Sequence, residues 1–213
     1  MKKIIVAFLA LILTIGITAC NTDSNIVKNN DIDLVNNITK ETVFGADGRL
    51  IVVLNNNNSK NVKLEIEVFI YDEANDITDI EADIIHMKAN SEFAYEIREV
   101  YSEQEITKFS VKAEEDKINY QTTDLIISNE VQTEESINFK VKNNSAEMLE
   151  YMTAVVVFYK DGKIIGLNET GETNVEPDSS AEMLATLPTD SNYNKVDFDD
   201  YKIIVHGITY KND

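Results

Sequence analysis

Two runs of the sequence decide the fold class: LEIEVFIYD at residues 64–72 and YMTAVVVFYK at residues 151–160. In the first run, aliphatic residues alternate with glutamates. An alternation with period two predicts a strand that buries one face. The second run is apolar on both faces at residues 155–158. This strand is therefore expected to be covered on both sides.

The two runs belong to a repeat that extends from residue 46 to the last residue. Four landmarks recur in the same order, at spacings of 86, 88, 90 and 92 residues. They pair Ile51 with Ile137, Tyr71 with Tyr159, Glu92 with Glu182 and Phe109 with Tyr201. Short strands in two such units predict an all-β chain of two tandem antiparallel β-sandwich modules, residues 46–116 and 117–213. The alternative is one larger sandwich that uses both halves.

Asparagine and aspartate, rather than glycine and proline, are expected to make the turns between these strands. The chain has 7 Gly and 2 Pro but 23 Asn, and Asn and Asp side chains bond their own backbone and tolerate left-handed conformations. Residues 55–59 and 143–145 are the clearest candidates, and KDGK at 160–163 predicts a tight hairpin. Residues 145–151 also fit a short capped helix, but the β-branched run that follows favours a strand.

The first twenty residues predict export and lipid attachment. Two lysines precede a 14-residue apolar run, which is shorter than the roughly 20 residues of a spanning helix and fits a signal peptide over residues 1–19. The run ends in Ile17-Thr-Ala19-Cys20, which resembles the bacterial lipobox. The resemblance implies cleavage between Ala19 and Cys20 and acylation (palmitate and diacylglycerol) of Cys20. The alternative is an ordinary signal peptide with an incidental cysteine, or an uncleaved anchor.

Residues 20–45 are polar and rich in asparagine, without sustained periodicity. We expect them to form a flexible tether between the acylated cysteine and the first module. The alternative is that the four aliphatic residues between positions 32 and 38 form a short helix or strand packed on the body.

A family resemblance becomes visible once the strand pattern is assembled. The order "strand, Asn-rich turn, long apolar strand ending in Tyr, Asp-Gly turn, aliphatic strand" resembles the FxLYD-type immunoglobulin-like domains of surface lipoproteins from low-GC Gram-positive bacteria. VFIYD at 68–72 stands where that motif would lie, and VVFYK at 156–160 departs further because it lacks the aspartate. VEPD at 175–178 and LP at 187–188 resemble later turns of the family. The resemblance implies immunoglobulin-like β-sandwiches at a cell surface and assigns no catalytic residue.

Charge and composition exclude several classes of function. The chain has 38 acidic and 19 basic residues, a net charge of −19, which becomes −21 if the leader with Lys2 and Lys3 is removed. Nucleic acid is an unfavourable partner, because its phosphates need lysine and arginine to neutralise them. The single cysteine excludes an internal disulfide. No glycine-rich phosphate loop, nucleophile elbow or zinc-binding HExxH motif is present.

Only a few side chains could support chemistry. The two histidines, His86 and His206, have no second histidine or cysteine near them in sequence, and we expect them to be ordinary strand residues. Asp197, Asp199 and Asp200 could offer oxygen ligands to Ca²⁺, as could the acidic run at 72–76. Neither run has the spacing of a calcium loop, so hydrated turns are the simpler interpretation.

We therefore expect a non-enzymatic lipoprotein on the extracytoplasmic face of a bacterial membrane, anchored through Cys20. Its modules would bind a surface partner or act as a spacer, without a cofactor. The alternative is a Ca²⁺-dependent cell-wall or transporter accessory component. A hydrolase with an unusual carboxylate pair is a third, more remote hypothesis.

Overall fold

The computed structural model describes residues 29–71, 77–101, 105–116 and 125–209. These contain one helix, α1 (Asn29–Asn36), and twelve strands, and every pairing between strands is antiparallel. The strands of the first half are β1 (Ile38–Phe44), β2 (Arg49–Asn56), β3 (Val62–Tyr71), β4 (Ile77–Met87), β5 (Ser91–Tyr101) and β6 (Glu105–Glu115). Those of the second half are β7 (Leu125–Gln132), β8 (Ser136–Asn143), β9 (Leu149–Lys160), β10 (Lys163–Val175), β11 (Ser180–Thr186) and β12 (Asp200–Ile208).

Each half folds into its own pair of three-stranded sheets. Strands β1–β6 form the sheets β1-β2-β5 and β4-β3-β6, and strands β7–β12 form β11-β8-β7 and β10-β9-β12. The two halves have the same topology. It corresponds to the pairings A-B-E and C′-C-F of an immunoglobulin domain. The prediction of an all-β chain with two antiparallel immunoglobulin-like sandwiches is confirmed.

Alternating side chains fill the core between the two sheets of each module. In the first module the buried residues include Leu50, Val52, Leu54, Val62, Leu64, Ile66, Val68, Ile85, Met87, Tyr95, Ile97 and Ala113. In the second they are Ile137, Phe139, Val141, Leu149, Met152, Ala154, Val156, Phe158, Val175, Ala181, Met183 and Ala185. Each module therefore has a core of its own. Full burial of each large aliphatic side chain in it contributes about 1.5–3 kcal/mol to stability.

A third apolar cluster joins the two modules. The sheet β1-β2-β5 packs against the sheet β10-β9-β12, so four sheets lie in one stack. The cluster consists of Ile51, Val53, Ala94, Val155, Val157, Ile164 and Ile204. Strands β2 and β9 lie in the inner two sheets, which is why residues 50–54 and 155–158 are buried on both faces. The prediction for 155–158 is confirmed.

Two buried asparagines set the register of the repeat. Asn56 Nδ2 donates to the carbonyls of Lys60 (3.0 Å) and Lys88 (2.7 Å), and Asn56 Oδ1 accepts from the backbone N–H of Asn58 (3.0 Å). Asn143 Nδ2 donates to the carbonyls of Glu147 (2.9 Å) and Val175 (2.9 Å), and its Oδ1 accepts from the N–H of Ser145 (3.0 Å). Each residue of the first set has its counterpart 87 positions later in the second: Asn56 and Asn143, Asn58 and Ser145, Lys60 and Glu147, Lys88 and Val175. The pairing of Ile51 with Ile137 at 86 is wrong by one residue, so the two face different cores.

The spacing grows along the module, but by different steps from those predicted. Ile66 pairs with Val111, and Ala154 pairs with Val205, all four packing in or against their module cores. The corresponding residues of the two modules are thus Ile66 and Ala154, which lie 88 positions apart, and Val111 and Val205, which lie 94 apart. The predicted 88 is therefore correct for β3 and β9, whereas 92 for the last strand is wrong by two residues. Tyr95 and Met183, both facing the core, lie 88 apart instead of the predicted 90.

The predicted turns at 160–163 and 145–151 can also be compared with the structure. Asp161 (φ 50°) and Gly162 (φ 72°) both have left-handed backbones, as a two-residue hairpin requires, so the hairpin is confirmed. Strand β9 begins at Leu149 and no helix forms at 145–151, in agreement with the strand interpretation.

The segment before residue 46 differs from the expected tether. Residues 29–36 form α1 and residues 38–44 form β1, an edge strand of the first module. Leu34, Val35 and Ile38 pack against the first core. The prediction of a flexible chain up to residue 45 is wrong for residues 29–44, because these aliphatic side chains gain burial on the body. The packed alternative is the one that forms.

Candidate ligand-binding cleft

An open cleft of about 800 Å³ lies where the two modules meet. The first module contributes the β1–β2 turn and Glu96 of β5, and the second contributes β10 and the segment between β11 and β12. The lining residues are Gly45–Arg49, Glu96, Gly166–Glu169, Thr186–Ser191 and Tyr193. The volume falls within the roughly 300–1,000 Å³ of small-molecule sites.

Two glycines lie beside the hydrogen bond that joins the walls of the cleft. The Ala46 N–H donates to the Ile165 carbonyl at 2.7 Å, which ties the β1–β2 turn to β10. A Cβ on Gly45 would lie 2.9 Å from Asp47 Oδ1 and 3.4 Å from the Ile165 oxygen, and a Cβ on Gly166 would lie 3.0 Å from the Pro188 Cβ. A side chain at Gly45 would therefore crowd the Asp47 side chain of its own turn, and one at Gly166 would crowd Pro188 within the second module. The glycines thus keep each wall of the cleft compact.

An ion-paired arginine lies in the wall from the first module. Arg49 Nη1 contacts Glu96 Oε1 at 2.7 Å, and Arg49 Nε lies 3.8 Å from Asp47 Oδ2. The Arg49 backbone N–H also donates to Asp47 Oδ1 at 3.1 Å. The guanidinium thus contacts both carboxylates, the closer contact being with Glu96.

A compact turn around Asp190 forms the opposite rim. Asp190 Oδ1 accepts from the N–H groups of Asn192 (2.8 Å) and Asn194 (2.9 Å), and Oδ2 accepts from Asn194 Nδ2 (3.0 Å). These bonds from Asn194 hold the pKa of the Asp190 carboxyl below its ordinary value. Tyr193 lies within the turn in a left-handed conformation (φ 64°) and is 86 % exposed. The turn thus presents one aromatic ring beside the cleft.

The wall between these rims is polar. Asn168 and Thr186 bond each other twice, through Asn168 Nδ2 to Thr186 Oγ1 (2.8 Å) and through the Thr186 N–H to Asn168 Oδ1 (3.2 Å). Glu169 is exposed and makes no side-chain hydrogen bond or ion pair with the described residues. Among the four carboxylates of the lining, that of Glu169 therefore has its oxygens open to water.

The two histidines lie outside the cleft lining. His86 Nδ1 lies 2.7 Å from Asp116 Oδ2 at one end of the outer sheet of the first module. His206 lies near the junction, its ring 4.7 Å from that of Phe93, and its Nε2 is buried without a partner among the described residues. Burial lowers the pKa of His206 to about 4. Both histidines lie in strands, as predicted, and His86 has the expected hydrogen-bonding neighbour. The prediction that each would face solvent or a hydrogen-bonding neighbour is wrong for His206, because its Nε2 is buried without a partner among the described residues.

The weak calcium candidates do not come together as a site. Asp199 Oδ2 accepts from the Asp161 N–H at 2.8 Å, and Asp200 Oδ1 accepts from the Tyr201 N–H at 2.9 Å. Asp197 joins neither of these bonds. Within the described part of the chain, no three histidine, cysteine, aspartate or glutamate residues are placed to hold a metal ion. Around the start of β12, the carboxylates of Asp199 and Asp200 therefore bond to backbone N–H groups. The acidic run at 72–76 lies outside the described residues.

The predicted lipidation site, Ala19 and Cys20, also lies outside the described residues. Among the helices that the structure describes, none is long and apolar enough to cross a membrane.

Sequence reasoning assigned no residue of the cleft to a binding site, although it marked Leu187 and Pro188 as a turn. Arg49, Glu96 and Tyr193 are far apart in the chain and none belongs to a motif. The one available signal was the run LPTDSNYNK at 187–195, a long polar connection with an isolated tyrosine. Such a connection is often functional.

Comparison with known proteins adds little to this description. No family model matches the chain, and no curated protein matches it. Among solved structures, the crystal structure of red sea bream transglutaminase matches 83 % of this chain at 11 % identity, with a TM-score of 0.24. The chain spans about a third of that protein, since the match covers 32 % of its length. A likeness at this level carries no argument about activity.

Proposed function

We propose that this chain is a lipoprotein held on the extracytoplasmic face of a bacterial membrane through Cys20, and that it is a non-catalytic binding protein whose ligand occupies the cleft between its modules. The observation that carries the proposal is the cleft itself, which neither module forms alone. Its walls are tied by the Ala46–Ile165 hydrogen bond and by the apolar cluster between the inner sheets. A prearranged site loses less conformational entropy when a ligand binds.

The chemistry of the lining supports binding rather than catalysis. A general acid–base site needs a titratable group within hydrogen-bond reach of the substrate. Here Arg49 engages Asp47 and Glu96, the Asp190 turn uses its own carboxylate, and both histidines lie elsewhere. Within the described lining, Glu169 is therefore left as a single open carboxylate, without a second titratable group beside it to act as its acid–base partner. The remaining groups, such as Thr189 and Ser191, suit hydrogen bonding to a bound molecule.

The anchoring part of the proposal is tested by Cys20→Ala. Two or more acyl chains hold a protein on a membrane almost permanently, so the variant is expected to leave the membrane fraction. Retention of Cys20→Ala in that fraction would contradict the proposal.

The binding part is tested by photo-crosslinking in intact cells. A photoreactive residue replaces Ser191, an exposed residue of the cleft, and as a matched control Ser180, an exposed residue of β11 outside it. We expect an adduct from position 191 and none from position 180. Equal adducts from both positions, or an adduct from 180 alone, would place the contact elsewhere.

A further inference from the structure

We propose, resting on the binding function above, that the ligand of the cleft is a short uncharged oligosaccharide, with one sugar ring stacked on Tyr193. Four chemical classes of ligand can be weighed against the lining: anionic, apolar, cationic and uncharged polar molecules.

Anionic and apolar ligands are unfavourable. The lining contains four carboxylates, on Asp47, Glu96, Glu169 and Asp190, against the one guanidinium of Arg49. An anion would meet a repulsive field, strengthened by the net charge of −19 over the whole chain. An apolar ligand would leave the hydroxyl and amide groups of Thr189, Ser191 and their neighbours without water or partners.

A cationic ligand finds few free acceptors despite the acidic lining. The Asp47 and Glu96 carboxylates already contact Arg49, at 3.8 and 2.7 Å. Both carboxylate oxygens of Asp190 already accept hydrogen bonds, three in all, from within its own turn. The negative field that repels an anion also attracts a cation, but only the Glu169 carboxylate is left for direct contact with a positive charge, and a single exposed ion pair contributes at most about 1 kcal/mol.

An uncharged sugar matches what remains. A pyranose ring has an apolar face, which an aromatic side chain covers, and hydroxyl groups around its edge, which bond to hydroxyls, amides and carboxylates. Tyr193 supplies an exposed ring of the amphipathic kind. Glu169, Thr189 and Ser191 supply donors and acceptors along the adjacent wall.

The Asp190 turn makes Tyr193 suitable for stacking. The Tyr193 N–H donates to the Asp190 carbonyl at 2.9 Å, and the Asp190 N–H donates to the Asn194 carbonyl at 2.8 Å. With the three side-chain bonds of Asp190, five hydrogen bonds fix the backbone around an exposed ring. The backbone that carries the ring is therefore fixed before the ligand arrives, which lowers the entropic cost of binding.

The experiment titrates the full chain, in a detergent without a sugar headgroup, with three uncharged tetrasaccharides of glucose or N-acetylglucosamine and with hexalysine. Binding is measured by calorimetry at low and high salt. We expect one of the tetrasaccharides to bind with little salt dependence, because no charge pairs with the ligand. Tyr193→Ala is expected to weaken that binding at least tenfold, while Tyr193→Phe retains it.

The matched control is Tyr151→Ala, because Tyr151 is also an exposed tyrosine (51 %) and is not part of the lining. It is expected to bind as the parent does. Hexalysine binding that high salt abolishes and that Glu169→Gln weakens would overturn the sugar assignment and leave the cleft as a peptide site. Absence of tetrasaccharide binding together with a crosslink from position 191 would likewise overturn only the ligand class. Absence of both would overturn the proposed function as well.

Discussion

Asn143→Ala is the sharpest test of what holds the second module together. The Asn143 side chain is fully buried and makes four hydrogen bonds: two to carbonyls, of Glu147 and Val175, and two from Ser145, through its N–H and its Oγ (2.6 Å). These bonds join the β8–β9 turn to the end of β10. Each buried bond contributes about 0.5–1.5 kcal/mol net. In the variant the two carbonyls lose their donor, and because the site is closed to water, no water molecule replaces it.

The expected loss is about 2–6 kcal/mol in the free energy of unfolding, obtained from four such bonds. With a urea dependence of about 2 kcal/mol per molar for a domain of this size, the midpoint falls by roughly 1–3 M. The assay is urea denaturation followed by circular dichroism, with the slope as a check that the same structure unfolds.

Asn144→Ala is the matched control, because Asn144 is the adjacent residue and is exposed. It is expected to change stability by less than about 0.5 kcal/mol. The reasoning is refuted if Asn143→Ala loses less than about 1 kcal/mol, or if Asn144→Ala loses as much. Asn56→Ala should reproduce the loss in the first module, since Asn56 makes the equivalent bonds.

Three further predictions concern the junction, a buried histidine and calcium. Ile51→Ala is expected to lose about 2–4 kcal/mol by calorimetry, because Ile51 is fully buried between the modules, whereas Ile84→Ala, at a residue 59 % exposed, should lose under 1. Burial lowers the pKa of His206 from 6.5 to about 4. As the pH falls, the histidine is therefore protonated in the unfolded chain before it is protonated in the folded one, which favours unfolding. Between pH 6.5 and pH 4 this group removes about 3 kcal/mol of stability. His206→Phe should reduce the loss of urea-derived stability over that range relative to the parent, and an unchanged slope would contradict this. Adding 5 mM Ca²⁺ should leave the melting temperature unchanged within about 1 °C, and a clear rise would favour the calcium-dependent alternative.

The strand content could be predicted from sequence because half-buried strands leave a period-two pattern. The register of the repeat could not be predicted, since four consecutive asparagines at 55–58 allow more than one alignment. What selects Asn56 is its hydrogen bonding to Lys60 and Lys88. Those partners are known only once the turns are folded.

The stacking of the modules was partly visible in the sequence. Five consecutive apolar residues at 50–54 and four at 155–158 are buried on both faces. The second run was interpreted correctly as a strand covered on both sides. The first run also contains the alternating set Leu50, Val52 and Leu54, so its pattern alone fits a half-buried strand equally well. Neither pattern says that the two strands cover each other.

The cleft arises where the two copies of the module differ. Corresponding residues of the two modules, the buried asparagines and the core-facing positions, lie 87 or 88 positions apart as far as the fifth strand of each module. On the sixth strand the spacing is 94, so the extra residues lie between the fifth and sixth strands of the second module. In the first module residues 102–104 make this connection, whereas in the second it runs over residues 187–199. The longer connection carries Pro188, the Asp190 turn and Tyr193, which form one rim of the cleft. The features shared by both copies thus account for the stability of the fold, and the added segment supplies a wall to the site. Since loops on a rigid β scaffold tolerate insertion and carry binding residues, this divergence is an independent reason to place the ligand at residues 187–193.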